Sequence, residues 1–181
     1  MRARAVRWMV LAAALSSFAT PAALAETELS SACFVGTPLY QKLLGAGVLS
    51  VPIEAPLAKQ EPALLLFLKA RLIHYSWDRM KMERWQSADE TSRAFSGSCA
   101  DKAIWLYTHM RRNGYKNTTL IIGRYSPSSK VLHMWVTYQA PDGSVMLLDP
   151  TIQKKPWRQD AFPGKFYKRQ VIIDGSSCVG V

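Results

Sequence analysis

The chain has 181 residues, which is enough for one domain with a hydrophobic core and too few for two domains of ordinary size. Its formal net charge of +10 at pH 7 favours acidic or polyanionic partners. Apart from a short apolar run near the N-terminus, no segment of the sequence is long and apolar enough to be predicted to span a membrane.

The first 25 residues have the pattern of a secretory signal peptide. Arg2, Arg4 and Arg7 precede the apolar run WMVLAAALSSF, and Ala23-Leu24-Ala25 matches a small-residue cleavage site. We therefore predict cleavage after Ala25 and export to a bacterial periplasm or beyond. The remaining residues, 26–181, are predicted to form a single domain with a net charge of +7, since three arginines and no acid are removed. Nucleic acid is not an expected partner of an exported protein.

The pattern of residues 26–95 predicts loops followed by helices. Glycine and proline interrupt residues 26–60, which leaves room for one short helix near Tyr40–Leu44. From Pro62, apolar residues recur at helical steps and predict one long helix that ends near Arg84. Ser87 and the glutamate three residues later have the spacing of a capping box, which predicts a short helix leading to Phe95.

A further helix is predicted to begin at Cys99. Gly97 and Ser98 are turn and cap residues, Asp101 places an acid in the first turn, and Asn113-Gly114 is a stop signal. A thiol at the start of a helix lies near unpaired N–H groups and the positive end of the helix dipole. Both favour the thiolate, which is the reactive form.

After this helix the pattern becomes typical of strands. TTLIIGRY, VLHMWVTY and SVMLLD favour extended structure, and Pro141-Asp142-Gly143 predicts a tight turn between the last two. A final strand is predicted at Gln170–Ile173, after a basic, aromatic loop at Lys154–Arg169. Helices that precede an antiparallel sheet predict an α+β fold.

The three cysteines predict one disulfide and one free thiol. An odd number of cysteines in an oxidising compartment usually leaves one thiol unpaired. Cys33 and Cys178 lie near the two ends of the mature chain, and the ends of a domain are often close in space. We therefore predict that these two pair and that Cys99 is free. A thiol oxidoreductase is not favoured, because the sequence has no C-x-x-C motif.

A nucleophilic thiol needs a base to take its proton and a third group to hold the base. His74 is predicted to lie in the middle of a helix, and His109 lies too far along the cysteine helix to reach Cys99. His133 begins a strand, and the neighbouring antiparallel strand ends at Asp149, so the two side chains are expected to be close. The pattern by itself leaves open that the three residues are unrelated.

Two motifs resemble the transglutaminase-like superfamily. HMWVTYQAPDGSVMLLDPT resembles its histidine–aspartate hairpin, and GSCADKAIWLYTHMRRNGY is similar to its cysteine helix. RWQSADETSRAFSGSCADKA most resembles the bacterial transglutaminase-like cysteine proteinases. The resemblance covers Trp85 to Thr151 and implies a papain-like core with helices packed on an antiparallel sheet. It also implies Cys99 as nucleophile, His133 as general base and acid, and Asp149 as the residue that orients His133.

The family's calcium-dependent periplasmic proteases carry acids on both sides of the cysteine, in an Asp-Cys-Glu-Asp pattern. In this chain Ser98 and Ala100 occupy two of those positions, and only Asp101 remains. A hard cation requires several oxygen ligands. We therefore predict no metal site and no cofactor.

These motifs predict an exported, thiol-dependent acyl-transfer enzyme, in the first place a cysteine peptidase acting on a protein or peptide amide. The oxyanion is expected to be held by the Cys99 backbone N–H and by one upstream side chain, either Gln86 or Trp85, between which the sequence does not decide. A transglutaminase or amidase with the same triad is one alternative. A non-catalytic periplasmic module that binds an acidic partner is another, because residues 154–158 and 165–169 interleave basic and aromatic side chains. The filled triad positions argue against that module, and the oligomeric state stays open.

Overall fold

The computed structural model describes residues 37–53, 61–82, 84–162, 167–175 and 177–180. Helices precede a six-stranded antiparallel sheet in this part of the chain, which confirms the predicted α+β architecture. The predicted signal peptide and Cys33 lie outside the described residues. Export and the Cys33–Cys178 disulfide therefore stay predictions.

The helices follow the cap signals of the sequence. In the described ranges the α-helices are α1 Pro38–Gly45, α2 Ala63–Leu72, α3 Ala88–Ala94 and α4 Cys99–Arg112, and short 3-10 helices cover Val48–Ser50 and Asp78–Lys81. Helix α1 confirms the short helix predicted near Tyr40–Leu44. Ser87 and Ser98 cap α3 and α4, each in a complete capping box. None of the helices in these ranges is long and apolar enough to cross a membrane.

The long helix predicted from Pro62 to Arg84 is wrong, because α2 ends at Leu72. The chain then forms β1, His74–Tyr75, which pairs in parallel with β2, Ser96–Gly97, the segment just before the cysteine helix. The helical spacing of apolar residues continues beyond Leu72 in the sequence. Residues 74 and 75 are nevertheless extended, because they pair with β2, which lies some twenty residues further along the chain.

A buried lysine of the cysteine helix holds the end of α2. The Nζ atom of Lys102 donates to the carbonyl oxygens of Arg71 and Ile73 at 3.2 and 3.0 Å. Burial of the ammonium lowers the pKa of Lys102. These bonds satisfy carbonyl groups that the helix leaves unpaired at its C-terminus, so α2 and α4 are joined where α2 ends.

The sheet contains six strands, with the longest ones at its centre. They are β3 Thr118–Arg124, β4 His133–Gln139, β5 Val145–Leu148, β6 Trp157–Arg158, β7 Lys168–Asp174 and β8 Ser177–Gly180, in the spatial order β6-β5-β4-β3-β7-β8. All neighbours are antiparallel. Strands β3, β4, β5 and β7 confirm the prediction. The short edge strands β6 and β8 were not predicted.

Helix α4 packs on one face of the sheet and forms the main core with it. Side chains of this core alternate along the strands with those of a smaller cluster on the opposite face, as the period of a strand requires. The sheet residues of the main core are Leu120, Ile122, Met134, Val136, Leu148, Val171 and Ile173. The smaller cluster consists of Ile121, Trp135 and Leu147, with Tyr167 packed against it.

Strand β3 carries a bulge beside the start of β4. The register between β3 and β7 shifts between Ile122 and Gly123, and Gly123 pairs with His133 on the other side. A Cβ atom at position 123 would overlap the carbonyl oxygen of Lys168 and lie 2.7 Å from Cη2 of Trp135. Only glycine permits this close approach of β7 and the tryptophan to the strand that supports His133.

We predict that Gly123→Ala lowers the free energy of unfolding by about 1–3 kcal/mol, because the added methyl group forces β7 or Trp135 to move. Urea or thermal unfolding measures the change. Gly45→Ala is the matched control, since a Cβ atom at position 45 meets no atom within 4 Å. Equal losses in the two variants would contradict this account of Gly123.

Candidate active site

Cys99 is the first residue of α4 and carries a free thiol. Only 8% of its surface is exposed. Its backbone N–H belongs to the first turn of the helix and therefore has no partner within the helix. The positive end of the helix dipole and this N–H group both favour negative charge on an oxygen bound beside the thiol.

The carboxylate of Asp101 fixes the chain around Cys99. It is fully buried, and its Oδ2 atom accepts hydrogen bonds from the backbone N–H and the hydroxyl of Ser98 at 2.8 and 2.9 Å. Its Oδ1 atom accepts from the backbone N–H of Gln86 at 2.7 Å, and Nε of Arg79 lies 3.7 Å from Oδ2. One side chain thus joins the cap of α4, the Trp85–Gln86 segment and a guanidinium.

The structure brings His133 and Asp149 together as predicted. Nε2 of His133 lies 2.6 Å from Oδ2 of Asp149, and both side chains are buried. The interaction with Cys99 helps to raise the pKa of His133, and both residues border the same two cavities. Because Nε2 faces Asp149, Nδ1 is the nitrogen left for the thiol. The imidazole of His133 therefore has the carboxylate and the thiol as its two neighbours.

The electrostatics of this line favour a charged imidazole. Burial lowers the pKa of His133, but hydrogen bonds to Asp149 and Cys99 and their negative charges outweigh burial and raise it to about 9. The folded protein thus binds the imidazole proton more tightly than the unfolded chain does. The resulting stabilisation is complete below about pH 6.5 and is lost as the pH rises through about 9.

Tyr167 completes the surroundings of Asp149, and the sequence did not indicate it. Its hydroxyl donates to Oδ2 of Asp149 at 2.8 Å, the same oxygen that faces His133. Burial and the negative charge of Asp149 raise the pKa of Tyr167, so it stays a neutral donor. Oδ1 accepts from the backbone N–H groups of Thr151 and Ile152 at 2.9 and 3.1 Å. These four contacts hold the Asp149 carboxylate in one orientation beside His133.

The two oxyanion candidates occupy different positions. Trp85 lines a cavity together with Cys99 and His133. The backbone N–H of Gln86 is bonded to Asp101, and its side-chain oxygen accepts from the hydroxyl of Thr91 at 3.3 Å. Gln86 does not line either cavity beside Cys99 in the described part of the chain.

The other histidines and the aromatic strand residue lie away from the thiol. His74 is exposed on β1. His109 is mostly buried, and its ring centroid lies 4.0 Å from that of Trp105; burial lowers the pKa of His109. Trp135 stacks near His133 with ring centroids 6.2 Å apart, but it is buried in the cluster on the far face of the sheet. Trp135 therefore packs beside the imidazole without lining either cavity at the thiol.

The fold is similar to that of LapG from Legionella pneumophila. Calcium-bound LapG gives a TM-score of 0.51 at 17% sequence identity, over 87% of each chain. EGTA-treated LapG gives 0.54 at 16% identity, over 86% of this chain and 85% of LapG. The sequence matches no family model and no curated protein. At this identity the likeness is one of fold alone, and it agrees with the α+β architecture described above.

The residues around Cys99 do not fit a calcium site. The carboxylate of Asp101 already accepts three hydrogen bonds and faces Arg79. Ser98 uses its hydroxyl in the helix cap, and Ala100 has no oxygen in its side chain. Calcium takes six to eight oxygen ligands. A guanidinium beside Asp101 repels a divalent cation, so no step of the chemistry below involves one.

We predict that Asp149→Asn lowers the pKa of His133 from about 9 towards or below 6.5, because the imidazolium loses a charged acceptor while it stays buried. An NMR titration of the histidine ring signals measures this shift. Asp142→Asn is the matched control, since Asp142 is an exposed carboxylate of the β4–β5 turn. An unchanged His133 titration in Asp149→Asn would contradict the assigned contact.

Proposed function

We propose that the protein is a thiol-dependent acyl-transfer enzyme, and specifically a cysteine peptidase that cleaves a protein or peptide amide. The observation that carries the proposal is the position of His133. Its imidazole lies 2.6 Å from the buried carboxylate of Asp149 and borders the same two cavities as the thiol of Cys99, which is at the start of a helix. The motif resemblance and the fold support the same chemistry.

Acylation begins with the thiolate of Cys99 and the imidazolium of His133. The sulfur attacks the carbonyl carbon of the scissile amide, and a C–S bond forms as the carbonyl oxygen takes up negative charge. The intermediate then collapses. The C–N bond breaks and His133 donates its Nδ1 proton to the departing amine, which leaves a thioester on Cys99.

Deacylation reverses the roles of the imidazole. Neutral His133 takes a proton from water, the water oxygen attacks the thioester carbon, and the C–S bond breaks to release a carboxylic acid and regenerate the thiolate–imidazolium pair. Asp149 keeps its negative charge throughout and holds Nε2. Tyr167 and the two backbone N–H groups keep the carboxylate in place.

Two groups are proposed to stabilise the oxyanion. The first is the backbone N–H of Cys99, which has no partner within α4. The second is the indole N–H of Trp85, whose side chain lines the cavity next to the thiol. Gln86 is the less favoured candidate, because its backbone N–H is bonded to Asp101 and the residue does not line either cavity beside Cys99 in the described part of the chain.

The alternatives use the same residues differently or not at all. An amine in place of water would make the enzyme a transglutaminase, and mass spectrometry distinguishes a new cross-link from new chain ends. For a module that binds an acidic partner, the 154–169 loop was the main argument. Its described aromatic residues instead pack edge-to-face with one another and with Trp135. Export by a signal peptide at residues 1–25 remains part of the proposal.

We predict that iodoacetamide labels Cys99 rapidly well below pH 8.5, about where an ordinary thiol titrates. Intact-mass spectrometry at a series of pH values gives the rate. His133→Ala is expected to slow labelling near neutral pH at least tenfold, and the exposed His74→Ala serves as the matched control. Labelling that follows an ordinary thiol and ignores His133→Ala would overturn the proposed function.

A second prediction separates the oxyanion candidates. Trp85→Phe keeps an aromatic ring in the cavity but removes the indole donor, so we expect kcat on a cleavable peptide to fall by about 10²-fold. Gln86→Leu should change kcat by less than about threefold. Circular dichroism checks that both variants fold. The reverse ranking would assign the second donor to Gln86.

A further inference from the structure

Two cavities meet at the thiol and imidazole. The first has a volume of about 340 Å³ and the second about 400 Å³, and both are bordered by Cys99, His133, Val131 and Leu132. Volumes of this size are typical of ligand-binding clefts. The two cavities therefore form one cleft that extends in two directions from the reacting groups, as the substrate of an amide-cleaving enzyme requires.

The walls of this cleft are apolar and aromatic. Beyond the four shared residues, the first cavity is lined by Leu39, Trp85, Ser98, Ala100, Ile122 and Met134. The second is lined by Tyr75, Trp77, Tyr125, Ser129, Thr151 and Ile152. The polar groups of these side chains are hydroxyls and the indole N–H groups of Trp85 and Trp77, and none of the twelve is a carboxylate or an amine. Apolar walls with few polar groups favour apolar ligand side chains.

Several of the lining side chains are large, apolar and exposed to solvent. Trp77 is 71% exposed, Val131 54% and Ile152 47%, and Leu132 and Tyr125 are each 41% exposed. Apolar surface left in water next to reacting groups has a free energy cost that a bound apolar side chain removes. A patch of this kind beside a cleft is typical of an interaction site.

The cleft also lacks fixed charge. Apart from the Cys99–His133 pair, no described residue that lines either cavity has an ionised side chain near neutral pH. Lys42 lies 5.6 Å from the ring of Trp85 but is not part of the lining. An acidic or basic substrate side chain in the cleft would lose its water of hydration without gaining a partner.

We infer that the cleft accepts a polypeptide segment with bulky, uncharged apolar side chains on both sides of the scissile amide. The inference rests on the proposed function and names its substrate class. The basic net charge of the chain predicts an acidic partner instead. The residues that carry this charge lie outside the described walls of the cleft, so they do not contact a side chain bound there. Leu39 lines only the first cavity and Ile152 only the second, so each gives a test position for one side of the cleft.

A matched series of dipeptidyl vinyl sulfones tests the acyl side. The residue next to the reactive group is Leu, Phe, Ala, Glu or Lys, and the second-order rate of Cys99 modification is read by intact mass. We expect Leu and Phe to react at least tenfold faster than Ala, and Glu and Lys to be slowest. A series led by Ala, Glu or Lys overturns the inference.

Iodoacetamide, measured in parallel, separates the two proposals. Slow labelling at neutral pH shows that the thiol is not activated, and it overturns the proposed function together with the inference. Fast labelling combined with equal rates for all five vinyl sulfones leaves the proposed function standing and overturns only the inference.

Variants in each cavity show which of the two binds the side chain next to the reactive group. Either Leu39→Asp in the first cavity or Ile152→Asp in the second is expected to abolish the preference for the Leu vinyl sulfone. The same variant should react with the Lys vinyl sulfone at least tenfold faster than the wild type does. Val145→Asp is the matched control, since Val145 is also 41% exposed but lies beside the β4–β5 turn. If neither cleft variant alters the ranking, the inference is wrong.

The residue that follows the scissile amide is tested by cleavage of a peptide library, which is prepared by digesting a defined protein mixture. The Cys99→Ala variant serves as the inactive control. Sequencing of the new N-termini is expected to show enrichment of Leu, Ile, Phe and similar residues after the cut. Enrichment of acidic, basic or small residues at that position overturns the inference for the leaving side.

Discussion

The position of the thiol depends on one buried carboxylate. Asp101 accepts hydrogen bonds from both donors of Ser98 and from the backbone of Gln86, and it faces Arg79. These contacts decide where α4 begins and how the Trp85–Gln86 segment approaches it. A Cβ atom on Gly97 would lie 2.6 Å from Cβ of Asp101, so the chain before the helix passes directly against this side chain. The start of the helix, and with it the thiol of Cys99, is thus fixed by contacts within the protein.

The second buried carboxylate, Asp149, has a different role from Asp101 because its hydrogen-bond partners differ. Asp101 is surrounded by backbone and hydroxyl donors and serves the architecture. Asp149 offers one oxygen to backbone N–H groups and the other to His133 and Tyr167, so its charge acts on an imidazole that can gain or lose a proton. Two residues of one type therefore have a structural and a proton-controlling role, and their neighbours determine which.

Local signals in the sequence predicted the parts of the structure that local interactions determine. Ser87 and Ser98 each carry an acid three residues later, and both helices begin where these caps place them. The tight turn at residues 141–143 sets the β4–β5 register, so the approach of His133 and Asp149 was predictable. The end of α2 was not, because it depends on pairing with β2 and on bonds from Lys102, which are distant in sequence. Tyr167 lies 18 residues after Asp149 and follows no motif that connects the two.

The sheet order has a consequence for when the site becomes functional during folding. Strand β7, near the C-terminus, lies against β3, which in turn supports β4 and His133. Tyr167 directly precedes β7, so its hydroxyl reaches Asp149 only after that late part of the chain has docked. The thiol, the imidazole, the carboxylate and Tyr167 come from parts of the chain that are distant in sequence, and non-local contacts of this kind slow folding. The proposed site is therefore complete only when the C-terminal strands are in place.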